Sequence, residues 1–235
     1  GEQVNVLTVL SYHKLQDVNK LKETLETLQK ENPAAVSRVP DVIPAWLGLQ
    51  AYGMKDLETA DKYMTWATQN DQLQNVKKVI WRNLAKVRLA LKKYDRALVA
   101  SNNFLKVEDQ PYRRADGMLD KASILLGLGK YAEARKTAEE ALALGVEGPL
   151  MASLKIVLGD ISYAEKKFDE AAKHYGVTAE LFVNDAELKP KALFKAAEAL
   201  DKAGRKSEAS QYRARLQKEF PDWKQEGESL PPDAR

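Results

Sequence analysis

Cysteine is absent from the 235-residue sequence, which excludes disulfide bonds, cysteine nucleophiles and thiolate metal sites. No apolar run approaches the ~20 residues of a membrane-spanning helix, so we expect no direct membrane insertion. The chain also lacks an excess of one charge, because 37 lysines and arginines nearly balance 34 aspartates and glutamates. These charges are mixed along the sequence. The net charge of +3 therefore does not indicate a nucleic-acid partner.

Residue patterns for catalysis are equally scarce. The sequence has no His-Glu-x-x-His motif and no glycine-rich phosphate loop. Its two histidines, His13 and His174, lie far apart in the chain, and acidic pairs such as Glu139-Glu140 fall where a helix should face solvent. A general acid or base needs a desolvated cleft that shifts its pKa. We therefore expect no enzyme activity, no metal site and no cofactor.

What the sequence contains instead is a repeat of small residues. One series, spaced by 37, 37, 37 and 38 positions, consists of Ala60, Ala97, Ala134, Ala171 and Ala209. A second series lies twelve positions before the first and consists of Gly48, Ala85, Ala122, Gly159 and Ala197. Two helices that cross closely need small side chains at the crossing point. The two series therefore predict helical hairpins with one small residue on each helix.

The segment between the two series is repeated as well. It reads Lys-Tyr-Asp-Arg-Ala at 93–97, Lys-Tyr-Ala-Glu-Ala at 130–134 and Lys-Phe-Asp-Glu-Ala at 167–171. The acidic residue falls in the first turn of the second helix, where the helix dipole favours negative charge. Gly129 and Gly204 fall where the first helix must end, and we predict that both are helix C-caps.

These residues resemble the tetratricopeptide-repeat family, whose pattern combines a tryptophan, a Leu-Gly pair, a tyrosine and spaced alanines. Trp81 and Ala85 match in one repeat, and Leu158-Gly159 with Tyr175 match in another. The period of 37 exceeds the family's typical ~34 residues, and we place the extra residues between the hairpins. The resemblance implies an all-α fold, a right-handed solenoid of antiparallel helix hairpins.

We predict one array over residues 1–221. Its six repeats are 2–33, 41–72, 78–109, 115–146, 152–184 and 190–221, and the first of them is degenerate. Three prolines within residues 33–44 predict a loop or a short interrupted helix between the first two repeats. Residues 222–235 lack a helical pattern. We interpret them as a flexible tail in which Trp223 folds back over the last hairpin.

The resemblance also implies a protein-interaction scaffold. In this family the first helices of successive hairpins line the concave face, and the positions opposite the small residues point into the groove. Mapping these positions onto the sequence predicts a face that binds a protein or peptide. Its residues are Leu49, Tyr52, Arg82, Lys86, Leu89, Ser123, Leu126, Asp160, Tyr163, Lys191, Phe194 and Glu198. Aromatic and arginine side chains are typical of binding hot spots.

Two other functions fit a helical-repeat array. Its ends or its convex face would allow pairing with other copies, as in a self-assembling homo-oligomeric module. Alternatively, the chain is an accessory domain of a larger envelope or secretion complex.

Residues of the buried type begin within the first ten positions of the sequence. Either the natural protein starts at this point, or a leader, anchor or tag was removed, and we favour removal. The style of the repeat suggests a bacterial protein, and an exported or periplasmic location is preferred over a cytoplasmic one.

Overall fold

The computed structural model describes residues 5–69, 74–181 and 185–225 of the chain. Within these residues it contains thirteen α-helices and no strand, which confirms the predicted all-α class. None of the described helices combines the length and the hydropathy that a membrane-spanning helix needs. Residues 226–235 of the predicted tail lie outside the described residues. So do the edges of three predicted repeats, at 2–4, 70–72 and 182–184.

The helices form two compact units, Gly1–Glu108 (unit 1) and Asp109–Arg235 (unit 2). The small-residue period runs unchanged from Ala97 to Ala134, so it gives no sign of a division between them. The division is defined by tertiary contacts.

Unit 1 consists of three helical hairpins and one short helix. Its helices are α1 Val6–Lys14, α2 Val18–Glu31, α3 Pro33–Val36, α4 Val42–Gly53, α5 Leu57–Ala67, α6 Gln74–Ala90 and α7 Tyr94–Val107. The hairpins are α1 with α2, α4 with α5, and α6 with α7, and the first helices α4 and α6 also contact each other. The single turn of α3 lies in the proline-containing segment, as predicted for the connection between the first two hairpins.

Unit 2 consists of three hairpins. Its helices are α8 Pro111–Gly127, α9 Tyr131–Ala143, α10 Gly148–Ala164, α11 Phe168–Leu181, α12 Leu188–Lys202 and α13 Lys206–Glu219. The hairpins are α8 with α9, α10 with α11, and α12 with α13. The first helices also contact their neighbours, since α10 touches both α8 and α12. Each unit therefore presents a row of first helices.

The same backbone turn closes each hairpin. Its left-handed residue is Gln16, Lys55, Lys92, Gly129, Lys166 or Gly204, with φ between 55° and 78°. The N–H of the next residue donates to the carbonyl five residues earlier, for example from Lys93 to Arg88 at 2.8 Å. This is the Schellman arrangement, and it confirms both predicted glycine caps. The other four positions carry side chains where glycine is favoured, so the sequence does not mark them.

The small residues lie at the hairpin crossings, but their nearest neighbours differ from those expected. A Cβ added to Gly48 would lie 2.7 Å from Met64 Cγ and 2.9 Å from Met64 N. A Cβ added to Gly159 would lie 2.4 Å from Cε1 of Tyr175. The prediction placed the crossing partner twelve positions later, at the alanine. In the structure the closest group is on the residue sixteen positions later, one helical turn beyond that alanine.

The core of unit 1 contains two of its tryptophans. Trp66 is buried and stacks on the fully buried Tyr63, with the ring centroids 6.1 Å apart. Trp46 is half-buried and packs against the same hydrophobic cluster. Both therefore support the packing of the hairpins.

Candidate partner-binding faces

The first-helix face of unit 1 lies on α4 and α6. Hairpin packing buries the small-residue sides of these helices, so the opposite sides stay accessible. Leu49 and Tyr52 on α4 and Lys86 and Leu89 on α6 are all half-buried. The two helices are in contact, so the structure brings these four predicted residues onto two adjacent helices. Leucine and tyrosine side chains beside an ammonium group can bind a partly apolar polypeptide surface.

Arg82, the fifth predicted residue of unit 1, is engaged within its hairpin. Its guanidinium carbon lies 5.4 Å from the ring centroid of Phe104 on α7, a cation–π contact. Phe104 itself is buried. Arg82 therefore packs on the second helix of its own hairpin, an orientation that its position in the repeat did not reveal.

In unit 2, Asp160 is the centre of a polar network that joins three helices. Its Oδ1 accepts a hydrogen bond from the Tyr175 hydroxyl on α11 at 2.6 Å and another from Lys195 Nζ on α12 at 2.7 Å. Lys195 is only 4% exposed, so its ammonium group needs a paired carboxylate. Burial, together with the charge of Asp160, raises the pKa of Tyr175 well above its usual value, so the phenol stays a donor. Asp160 thus holds neighbouring hairpins together.

Two other predicted residues of unit 2 serve the fold in a similar way. Tyr163 is 4% exposed, and its ring packs edge-on against Phe168 with the centroids 5.1 Å apart. Glu198 accepts a hydrogen bond from Arg213 on α13 at 3.0 Å. Sequence offsets along one helix do not show which groups a neighbouring helix supplies, so both residues appeared available to a partner.

On α8, the predicted residues Ser123 and Leu126 are half-buried. The Ser123 hydroxyl donates to the Leu119 carbonyl of its own helix at 3.1 Å. Such a bond back to the preceding turn leaves the hydroxyl oxygen able to accept a further hydrogen bond. Leu126 adds a half-buried apolar side chain about one turn further along α8.

The last two predicted residues, Lys191 and Phe194, line a cavity of about 640 Å³. It lies between the start of α12 and the chain that follows α13. The full lining consists of Ala186, Glu187, Lys191, Phe194, Lys195, Asp222, Trp223, Lys224 and Gln225. The Trp223 ring lies 5.7 Å from that of Phe194, which confirms that Trp223 folds back over the last hairpin. Lys195 had no sequence signal, since lysine is expected to face solvent.

The sequence also missed a buried acidic residue in unit 1. Asp61 on α5 accepts hydrogen bonds from Arg88 Nε on α6 at 2.8 Å and from Lys93 Nζ at 3.0 Å, and Arg96 lies 3.5 Å away. Burial opposes ionisation of Asp61, but these hydrogen bonds and positive charges outweigh it, so its pKa lies below the usual value. This network joins consecutive hairpins.

The histidines lie apart and make different contacts. His13 packs edge-on against Trp46, with the ring centroids 5.3 Å apart. His174 in unit 2 has its Nε2 3.8 Å from Glu170. Among the residues that the structure describes, no group of three or more histidine, aspartate or glutamate side chains is arranged to hold a metal ion.

Comparisons with known proteins agree with this architecture. Residues 119–182 match the family model "Tetratricopeptide repeat". No curated protein sequence matches the chain significantly. Among solved structures, the quorum sensor NprR from B. thuringiensis, in its apo form, is 17% identical with a TM-score of 0.67. The match covers 93% of this chain and 64% of NprR.

Two further structures have similar folds. PilF from Pseudomonas aeruginosa is 17% identical with a TM-score of 0.57, and the match covers 93% of this chain and 91% of PilF. A Rap protein in complex with Competence and Sporulation Factor is 17% identical with a TM-score of 0.64, over 92% of this chain and 63% of the Rap protein. The chain spans less than two thirds of NprR and of this Rap protein. Residues 119–182 carry the sequence pattern of the tetratricopeptide repeat, and the chain has the fold of tetratricopeptide-repeat proteins.

Proposed function

We propose that this chain is a protein-interaction scaffold rather than an enzyme, and that it binds a protein or peptide on the first-helix faces of its units. The observation that carries the proposal is the row of Leu49, Tyr52, Lys86 and Leu89, which stay partly exposed on two helices in contact. A mixed apolar and polar surface of this kind suits a polypeptide partner.

The likeness to solved structures supports the same function at the level of the fold. The Rap protein of similar fold was solved with Competence and Sporulation Factor bound. At 17% identity the likeness concerns the fold, so the residues that would bind a partner here are argued from this chain alone.

Site-specific photo-crosslinking in the cells that express the protein tests the proposal. A benzophenone amino acid replaces Tyr52 or Leu89 on the proposed face, or Val99 or Leu144 as exposed controls on α7 and just after α9. We expect a discrete crosslinked partner from the first two positions and none from the controls. Equal crosslinking from all four positions, or none from Tyr52 and Leu89, would contradict the proposal.

Self-association is a second candidate function, because α1 exposes an apolar face. Leu7 on α1 is 72% exposed and Leu15, the C-cap residue of α1, is 71% exposed, while Val9 on the other side of α1 is buried. Exposed leucines favour pairing with another apolar surface. Sedimentation velocity across a hundredfold concentration range tests this. A dimer that the Leu7→Glu variant abolishes supports self-association, and a monomer at every concentration excludes it.

A further inference from the structure

The cavity beside α12 has the walls of a binding pocket, and its interpretation rests on the proposed scaffold function. Its volume of about 640 Å³ lies within the ~300–1,000 Å³ of typical ligand pockets. Phe194 and Trp223 contact each other and together form an aromatic wall of the cavity, and both side chains are half-buried. Their ring planes are tilted by 45°, so each ring keeps part of its surface accessible.

The Trp223 wall is fixed to the rest of unit 2 by the turn before it. Phe220 packs against the cluster of Ala192 and Leu193 on α12. The Trp223 N–H donates to the Phe220 carbonyl at 3.1 Å. These contacts place the indole over α12 before any partner arrives, which lowers the ordering cost of binding.

Lys195 also lines the cavity and is 4% exposed. Its Nζ donates to Asp160 Oδ1 at 2.7 Å and lies 5.8 Å from the centroid of the Tyr175 ring. The ammonium group of Lys195 is therefore neutralised within the fold.

The formal charges around the cavity cancel. Lys195 is neutralised by Asp160, and the remaining lining residues carry two positive charges, Lys191 and Lys224, and two negative charges, Glu187 and Asp222. A neutral pocket with aromatic walls favours an uncharged apolar group over an acidic one.

We propose that this pocket binds one aromatic side chain of a partner polypeptide. The ring of the partner lies against Phe194 and Trp223. The pocket thereby selects partners with an exposed phenylalanine or tyrosine in an uncharged sequence context.

Fluorine NMR of the full chain labelled with 5-fluorotryptophan tests this pocket with defined probes. The probes are the blocked tripeptides acetyl-Gly-Phe-Gly-amide, acetyl-Gly-Ala-Gly-amide and acetyl-Gly-Asp-Gly-amide. We expect the phenylalanine probe to shift the Trp223 signal saturably, at least about tenfold more tightly than the alanine probe, as burial of a phenyl group predicts. The signals of Trp46, Trp66 and Trp81 should not move.

Two variants and one control complete the test. Phe194→Leu should weaken binding of the phenylalanine probe about tenfold, and Val177→Ala, at an exposed position on α11, should leave it unchanged. Trp223→Ala, outside the helices, should abolish binding of a 4-fluorophenylalanine version of the probe. An equal response to the alanine probe, or tightest binding of the aspartate probe, would overturn the proposal.

The outcome is independent of the crosslinking in unit 1. If the probes fail while Tyr52 and Leu89 crosslink a partner, the pocket is wrong and the scaffold function stands. If the probes bind while crosslinking fails, the pocket stands and the face on α4 and α6 is wrong.

Discussion

Asp61 in unit 1 and Arg135 in unit 2 occupy the same position in the repeat and carry opposite charges. Each directly follows the alanine of the second helix. Asp61 binds Arg88, and Arg96 lies 3.5 Å from it. Arg135 binds Ser162 at 3.2 Å and Glu170 at 2.8 Å. Ser162 and Glu170 follow Arg88 and Arg96 by 74 positions, which is two periods of the repeat. The contact between consecutive hairpins is therefore kept, while its charges are inverted.

The comparison separates the geometry of the repeat from its chemistry. The position after the alanine faces the next hairpin, and any pair of opposite charges satisfies it. The two units differ in burial, however. The side chain of Asp61 is 5% exposed and that of Arg135 is 22% exposed. A charge that loses its partner costs more where less water can replace that partner.

The largest expected effect follows from this difference. Asp61→Ala should lower the free energy of unfolding by about 3–5 kcal/mol, because Arg88 stays buried without its carboxylate. Arg135→Ala should cost no more than about 2 kcal/mol, since Glu165 and Glu170 can turn to water. Urea unfolding measures both, and the exposed Glu139→Ala is the control with a change within ~0.5 kcal/mol. Equal losses for Asp61 and Arg135 would show that burial does not set the difference.

An intermediate effect is expected at the close approaches of the hairpins. Gly48→Ala in unit 1 and Gly159→Ala in unit 2 should each destabilise their own unit by about 1–3 kcal/mol, because the added methyl meets Met64 or the Tyr175 ring. Gly53 on α4 has nothing within 4 Å of an added Cβ. The Gly53→Ala control should therefore be neutral or stabilise the helix by up to about 1 kcal/mol. Hydrogen exchange resolved by peptide assigns each loss to its unit.

If Gly53→Ala were as harmful as the other two substitutions, close approach would not be the reason for glycine at positions 48 and 159. If Gly48→Ala lowered the protection from exchange of unit 1 alone, and Gly159→Ala that of unit 2 alone, each unit would be stabilised by its own hairpin packing.

The smallest expected effect is a difference in pH dependence. Burial lowers the pKa of His174, and the positive charges of Arg135 and Lys155 add to this while Glu170 opposes it. In the unfolded chain His174 is therefore protonated near pH 6.5, whereas in the folded state it stays neutral at that pH. Unit 2 consequently loses stability as the pH falls below about 6.5. Asp61 has a lowered pKa, so its contribution to unit 1 persists until the pH falls below about 4.

Hydrogen exchange between pH 7 and pH 5 measures this difference. Peptides of α11 should lose protection on acidification, and those of α5 should not. His174→Gln, which keeps a polar side chain that does not titrate, should remove the loss. Acid sensitivity that persists in His174→Gln would assign the effect to another group.

The sequence predicted the hairpins because crossing helices demand small residues, and it predicted the glycine caps because a left-handed residue favours glycine. It did not predict the left-handed conformation of Lys55, Lys92 and Lys166, which costs a lysine about 1–2 kcal/mol. It placed Trp223 over the last hairpin. It did not predict the cavity beside this contact, because the start of α12 and the chain after α13 meet only in the tertiary structure.

The predicted partner-binding face shows the same limit. Position in the repeat selected Arg82, Asp160, Tyr163 and Glu198, yet groups on neighbouring helices engage each of them. Leu49, Tyr52, Lys86 and Leu89 are half-buried on contacting helices and carry the proposal for unit 1.

By itself, the sequence determined the all-α class, the pairing of helices into hairpins and the positions of the small residues. These follow from local rules, since helix periodicity, caps and close approach depend on residues within one hairpin. The tertiary structure alone decided the division into two units, the inverted charges between hairpins and which polar side chains turn inward. These depend on groups about 35 residues apart in sequence, such as Asp160 and Lys195, which meet only after the hairpins have packed.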